Sequence, residues 1–188
     1  AEELLAQCAQ QVLSFGPDAA LKAGYLGVRY GSVFAIDGGS LAVSSQMCVG
    51  GGAGSSDSGN SIATLNCTNV TASTVRIGLN SSGNTLVIGP GAVAKVTGGE
   101  ELYIGVADGT SNVTDNHLRI EAGASLSLGG ALCIGSRDRE DVANGGASAT
   151  FSGNTLEMDS AKLNVSGNFA SSHDNGSLND LILRHSYM

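Results

Sequence analysis

A four-residue phrase that recurs along the chain constrains the fold more than any other feature of the sequence. The phrase is an apolar residue, any residue, a second apolar residue and a glycine. It ends at Gly31, Gly50, Gly78, Gly105 and Gly135, so the steps between glycines are 19, 28, 27 and 30 residues. Repeats with a period of about 20 to 50 residues are typical of stacked architectures, and they decide the fold before local propensity does.

Two further phrases alternate with the first. One opens each repeat, as in residues 34–37, 86–89, 118–121 and 156–159, and the other lies between them, as in 41–43, 94–96, 126–128 and 163–165. Each alternates apolar with polar or small residues, which is the period of a strand with one buried face. Stacked on successive turns of chain, the inward residues form three columns: Phe34, Ala63, Leu86, Leu118 and Leu156; Met47, Val75, Leu102, Leu132 and Phe169; Val49, Ile77, Ile104 and Ile134.

The sequence therefore predicts an all-β fold, a single-stranded parallel β-helix with three faces and about five coils. A right-handed winding is expected, because parallel crossovers are nearly always right-handed. The repeats are expected to fill residues 28–188, with an incomplete final coil at Leu181–Met188.

The segment before the repeats, residues 1–27, is expected to hold a short α-helix and a connection. Leu4, Cys8, Val12 and Phe15 share one face of a helix, and Gly16-Pro17 would end it. Such a helix would cap the exposed edge of the first coil.

Composition excludes two classes of function. The 188 residues carry 9 Lys and Arg against 17 Asp and Glu, which gives a net charge of −8. Binding to nucleic acid needs clustered cations, so no nucleic-acid partner is expected. The chain has no run of about 18 apolar residues, so no membrane span is expected. Aromatic residues make up only 4% of the chain, which fits a thin core of branched aliphatic side chains.

The repeats resemble a known class of proteins. The stretch GNTLVIGPGAVAKVTGGEELYIG, followed by NHLRIEAGASLSLGGALCIG, is similar to the repeats of autotransporter passengers and of related bacterial surface proteins. The resemblance covers roughly residues 28–185 through its repeat template. It implies a secreted, surface-displayed β-helical stalk or adhesin segment, with a surface glycan or a host protein as partner.

Some residues could carry chemistry. Many β-helices cleave acidic polysaccharides, and such a site needs carboxylates and a cation on one outer face. Glu121 and Asp159 are expected to be neighbours there, with Arg119 beside them. Adventitious Ca²⁺ could bind between acidic turns through Asp108, Asp115, Asp138 or Asp141. No other metal and no cofactor is expected.

The four cysteines, Cys8, Cys48, Cys67 and Cys133, show no disulfide framework and no CxxC motif. Cys48 and Cys133 are expected at equivalent outward positions three coils apart, about 14 Å at the strand spacing, which is too far for a disulfide. Thiols and one unforeseen bridge are both compatible with the sequence.

The function predicted from the sequence is that of a non-enzymatic, extracellular structural or adhesive module: a surface stalk, an adhesin segment or a self-assembling filament subunit. Self-association is expected through the solenoid ends, at Leu181, Ile182 and Leu183, unless the array continues in a longer chain. The alternative function is the binding or cleavage of a polysaccharide.

Overall fold

The fold is described by a computed structural model, which covers residues 3–6, 11–51, 59–98, 102–107, 112–137, 149–171 and 179–186. All regular structure in these ranges is β-strand, so the predicted all-β class is confirmed. In chain order the strands are β1 (Glu3–Ala6), β2 (Val12–Phe15), β3 (Ala20–Ala23), β4 (Tyr25–Val28), β5 (Val33–Asp37), β6 (Ser40–Gly51), β7 (Ile62–Asn66), β8 (Asn69–Leu79), β9 (Thr85–Ile88), β10 (Val93–Val96), β11 (Leu102–Ala107), β12 (Val113–Thr114), β13 (His117–Ile120), β14 (Ser125–Leu128), β15 (Leu132–Arg137), β16 (Phe151–Ser152), β17 (Thr155–Asp159), β18 (Lys162–Val165), β19 (Phe169–Ser171) and β20 (Asp180–Arg184). The described residues contain no helix long and apolar enough to cross a membrane.

The strands pair in parallel and form three rows, apart from β12 and β16, which pair only with each other in the described residues. The first row is a seven-stranded sheet in the order β2-β5-β7-β9-β13-β17-β20. The second row contains β3, the first half of β6, the first half of β8, then β10, β14 and β18. The third row contains β1, β4, the second halves of β6 and β8, then β11, β15 and β19. The chain visits the rows in rotation, a topology consistent with a β-solenoid.

The first row has more strands than the five coils counted from the sequence. The additional strands are at its two ends, where β2 precedes the first recognised repeat and β20 lies in the predicted incomplete final coil.

The prediction of an N-terminal helix is wrong. The segment instead contains β1 and β2, which pair in parallel with β4 and β5. The residues Val12-Leu13-Ser14-Phe15 fit a strand as well as a helix, and Leu13 and Phe15 pack against the core while Val12 is 74% exposed. Pairing with the next strand satisfies backbone groups that a helix would leave open along that edge, so tertiary context overrides the local spacing. Strand β4 crosses the boundary predicted between residues 27 and 28.

The predicted register of the core is confirmed. Strand pairing places the three predicted columns side by side in the expected order, from Phe34 to Leu156, from Met47 to Phe169 and from Val49 to Ile134. Nearly all of these side chains are fully buried, and Phe169 at the end of its column is 41% exposed. Apolar columns shared between successive strands allow the stack to bury a continuous core that one turn of chain could not bury alone.

A column of asparagines runs beside this core. We call Asn84, Asn116, Asn154 and Asn179 the asparagine ladder. The Oδ1 of Asn116 accepts hydrogen bonds from the backbone N and the Nδ2 of Asn84, at 3.1 and 2.9 Å. The same pair of bonds joins Asn116 to Asn154, at 3.2 and 3.0 Å, and Asn154 to Asn179, at 3.2 and 3.0 Å. Asn84, Asn116 and Asn154 are fully buried, so these bonds satisfy polar groups that have no access to water.

The ladder explains four of the five glycines that end the recurring phrase, all except Gly31. Gly50, Gly78, Gly105 and Gly135 all have positive φ, between 65° and 77°. A Cβ built on them would overlap the side chains of Asn84, Asn116, Asn154 and Asn179 respectively. Each position therefore needs glycine for two reasons, the left-handed backbone and the space that the asparagine occupies.

Alanine substitutions at two different glycines separate the effect of the backbone strain from the effect of the overlap with an asparagine. Gly78→Ala must accept both the positive φ of 73° and the overlap with Asn116, whereas Gly91→Ala has a φ of 71° and no atom within 4 Å of the new Cβ. The backbone strain alone costs about 1–2 kcal/mol. Displacing a buried ladder amide adds about 1–3 kcal/mol.

We therefore expect Gly78→Ala to lower the free energy of unfolding clearly more than Gly91→Ala. Urea unfolding of both variants measures this, with unchanged m-values showing that the unfolded state is comparable. Equal losses in the two variants would contradict the role given to the ladder.

Candidate functional site

The outer surface of the first row carries the residues predicted to act on a polysaccharide. In β13 and β17, Leu118, Ile120, Leu156 and Met158 point into the core. The alternation of the strand therefore turns Arg119 and Glu157 outward as direct neighbours. Arg119, Glu121, Glu157, Asp159 and Arg184 line a surface depression of about 310 Å³. The expected proximity of Glu121, Asp159 and Arg119 is thus present in the structure.

The charged groups in this depression pair mainly with one another. Arg119 lies 3.7 Å from the Glu121 carboxylate and 3.6 Å from the Glu157 carboxylate, and Arg184 lies 3.4 Å from the other oxygen of Glu157. The Arg119 and Arg184 side chains are 50% and 62% exposed. Asp159 accepts a hydrogen bond from the hydroxyl of Ser160 at 3.1 Å. Exposed ion pairs of this kind are weak, each contributing about 0–1 kcal/mol.

The sequence analysis missed Glu157 as a member of this cluster. Glu157 could have been found from the opening phrase, because residues at matching places of successive phrases become neighbours on adjacent strands. Arg119 and Glu157 occupy the same place in their phrases, and Asp159 is paired with Arg184. Chemically, the cluster can hold an anionic group only if that group competes with Glu157 for Arg119.

The proposed Ca²⁺ ligands fall mostly outside the described residues. This applies to Asp108, Asp138 and Asp141. Asp115 is described: it has a φ of 57°, and its backbone N donates to Ser152 O at 3.0 Å. Within the ranges that the structure covers, no three His, Cys, Asp or Glu residues are grouped so that they could hold a metal.

The outward side of the third row is mostly buried rather than solvated. Cys48, Arg76, Tyr103 and Cys133 follow one another in register, which confirms that the two cysteines are three strands apart. Cys48, Tyr103 and Cys133 are at most 7% exposed and belong to a small apolar cluster. The guanidinium of Arg76 lies 5.7 Å from the centre of the Tyr103 ring, which is within cation–π range.

The cysteines that the structure describes are thiols. Cys48, Cys67 and Cys133 are buried and not bridged by disulfides, and Cys8 lies outside the described residues. Burial raises the pKa of the Cys67 thiol, against the smaller effect of backbone hydrogen bonds. A buried, protonated thiol is a poor nucleophile, so Cys67 is a packing residue.

Tyr25 and Arg29 form a second arginine–tyrosine pair at this surface. Arg29 Nη2 donates a hydrogen bond to Tyr25 Oη at 2.6 Å, and its guanidinium carbon lies 5.6 Å from the ring centre. Burial and the nearby Cys48 raise the pKa of Tyr25 to about 12, because their effect exceeds the opposing effect of Arg29.

The raised pKa of Tyr25 predicts a stability change at high pH. Above pH 10, the phenol of the unfolded chain loses its proton while that of the folded chain retains it until about pH 12. The contribution of Tyr25 to the free energy of unfolding should therefore be independent of pH below pH 10. It should decrease as the pH rises from 10 to 12.

Urea unfolding at pH 9, 10 and 11 tests this. The fall with pH should be smaller in Tyr25→Phe than in the wild type, and it should persist in the matched variant Tyr30→Phe. The same pH profile in all three proteins would show that the Tyr25 phenol does not titrate as described.

Comparisons with family models, with curated proteins and with solved structures give no match for this chain. The resemblance to autotransporter passengers is therefore neither supported nor opposed by them, and it stays a prediction.

Proposed function

We propose that the chain is a three-faced, right-handed parallel β-helix that acts without catalysis as a secreted structural or adhesive module at a cell surface. In this function the protein acts as a spacer within a stalk, adheres to a target as part of an adhesin, or assembles as a subunit of a filament. The observation that carries the proposal is the uninterrupted in-register stacking of three parallel rows, in which the same apolar columns and the asparagine ladder pass from turn to turn.

Stacking of this kind supports a mechanical role. Each turn contacts mainly the turns before and after it, so stiffness and length grow with the number of turns. The polar ladder adds buried hydrogen bonds that only one register of the stack can satisfy, because a slip would separate each Oδ1 from its two donors. The charged depression on the first row has no buried ionisable group among its named members, and its arginines are already paired.

One end of the stack presents apolar residues that occupy inward positions. In the first row, Leu181 and Leu183 follow Leu156 and Met158, yet they are 36% and 44% exposed. Ile182 between them points outward and is half-buried. In the described part of the chain, β20 pairs only with β17, so its other edge offers backbone donors and acceptors. Such an edge is a template for strand addition.

A second copy of the chain fits this end. Its β2 strand is the opposite edge of the same first row, and Leu13 and Phe15 of that strand are inward-facing and only partly buried. Placing β2 of one copy against β20 of another continues the row in parallel. The contact is head-to-tail and does not close, so it produces filaments rather than dimers.

Association of the purified 188-residue chain tests this proposal. We expect sedimentation velocity to show concentration-dependent assembly and electron microscopy to show filaments. Leu181→Lys with Leu183→Lys should shift the protein to monomer, because two charges would be buried at the contact. Ile62→Lys is the matched control, since Ile62 is 40% exposed but lies in the middle of the first row, and it should leave assembly unchanged.

Two outcomes would overturn the proposal. A strictly monomeric wild-type protein at high concentration would remove the self-assembling function. Turnover of a uronic-acid polymer that is lost in Glu121→Gln and Asp159→Asn would establish the alternative, a polysaccharide-cleaving enzyme that uses these two carboxylates and Arg119.

A further inference from the structure

All three lysines of this acidic chain lie on one surface. Lys22, Lys95 and Lys162 occupy outward positions of the second row, on β3, β10 and β18, and all three are exposed. The rest of the chain contains six arginines and seventeen acidic residues. A distribution that places every lysine on one of three faces gives that face a charge opposite to that of the whole molecule.

The outward positions of this row contain no carboxylate. Strand pairing identifies the neighbours of the lysines, which are small, hydroxyl or amide side chains with one valine: Ala20, Ser40, Ala42, Asn69, Thr71, Val93, Ser125, Ser127 and Asn164. Lys22 and Lys95 therefore have no acidic neighbour on the row itself. We call this outward side of the second row the lysine face.

A depression of about 560 Å³ runs along one side of the lysine face. It is lined by Lys22 together with Ser44, Thr71, Ser73 and Thr97, and it lies where β6 and β8 pass from the second row to the third. The small residues Gly24 and Ala42 are also part of its lining.

Two hydroxyls in the depression have their protons engaged by backbone carbonyls. The Ser73 hydroxyl donates to the carbonyl of Ser44 at 2.9 Å, and the Thr97 hydroxyl donates to the carbonyl of Ala72 at 3.3 Å. Each hydroxyl has one proton and two lone pairs, so an oxygen whose proton is already engaged presents lone pairs to a ligand. The surface thus combines ammonium donors with hydroxyl acceptors.

We propose that the lysine face binds a linear anionic glycan, one that carries carboxylate or sulfate groups among many hydroxyls. The chain of the glycan lies along the direction in which the strands stack, with its anionic groups at the lysines and its hydroxyls donating to Ser73 and Thr97. Lys22 and Lys95 are in one column three pairings apart, about 14 Å, and Lys162 lies in the next column, two pairings or about 10 Å further along the stacking direction.

The spacing of the lysines favours a glycan over a nucleic acid. Duplex DNA carries about one charge per 1.7 Å, and proteins that bind it cluster their cations to match. Single-stranded nucleic acids are usually held by aromatic side chains that stack on the bases, and the outward positions of the second row have no aromatic residue. Sparse ammonium groups among hydroxyls match sparse anions among hydroxyls.

This inference adds a ligand-binding surface to the proposed adhesive function and does not depend on association through the ends. The lysine face runs along the side of the stack, away from Leu181 and Leu183 in the first row. Binding can therefore be measured at concentrations where the protein is monomeric, so that failure of one proposal is distinguishable from failure of the other.

Affinity chromatography and surface plasmon resonance on three immobilised polymers test the proposal: κ-carrageenan, which carries sulfate on alternate sugars, hyaluronan, which carries carboxylate on alternate sugars, and dextran, which is neutral. We expect salt-dependent retention on at least one anionic polymer and none on dextran, and the stronger of the two anionic arms identifies the anionic group. Lys22→Gln with Lys95→Gln should weaken binding at least tenfold and reduce the slope of log K against log salt by about 1–2.

The matched control is Val12→Glu with Ile62→Glu, which changes the net charge by the same −2 at exposed positions of the first row. It should bind like the wild type, and circular dichroism and urea midpoints check that all variants fold. Three results would overturn the proposal: no retention on either anionic glycan, an equal loss in the control, or tighter binding to single-stranded DNA than to the glycans.

Discussion

The contact between a buried asparagine and a glycine on a neighbouring segment of the stack organises the rest of this structure. Asn116, Asn154 and Asn179 each accept two hydrogen bonds from the asparagine before them, and every ladder amide fits into space that only a glycine leaves open. The pairing holds the apolar columns in register, since a shift by one residue would turn every inward side chain outward. It also accounts for the glycines of the recurring phrase from Gly50 onward, which the core columns alone would not require.

In a stack held in this way, the groups that could bind a ligand or a partner lie on the outer surface. The interior contains apolar side chains and a satisfied polar ladder, so function has to come from the ends and the outward faces. The faces differ in charge: the first row carries a paired cluster of arginines and carboxylates, the second row carries the lysines, and the outward side of the third row is largely buried. The two proposals use different parts of this surface, the apolar end for assembly and the lysine face for a ligand.

The sequence predicts the core of this fold in detail, because strict alternation within recurring phrases leaves one register for columns such as Phe34 to Leu156. It fails at Val12–Phe15, where a four-residue alternation and a helical spacing coincide and only pairing with β5 decides between them. The ladder had a signal, since Asn84, Asn116, Asn154 and Asn179 each stand two residues before a leucine. Whether such a column is buried depends on how the chain turns between rows, and no local sequence pattern predicts these turns. Glu157 and the lysine face were likewise readable only after the strands had been placed side by side.

A double-mutant cycle on Gly105 and Asn154 tests the central claim most directly, because a Cβ at Gly105 would overlap the Asn154 side chain. The measurement is the free energy of unfolding of Gly105→Ala, Asn154→Ala and the double variant. Removing the asparagine removes the obstacle to the new Cβ, so the double variant should lose less than the sum of the single losses, by at least about 1 kcal/mol. Additivity within about 0.5 kcal/mol would contradict the account, since residues that do not interact show that behaviour.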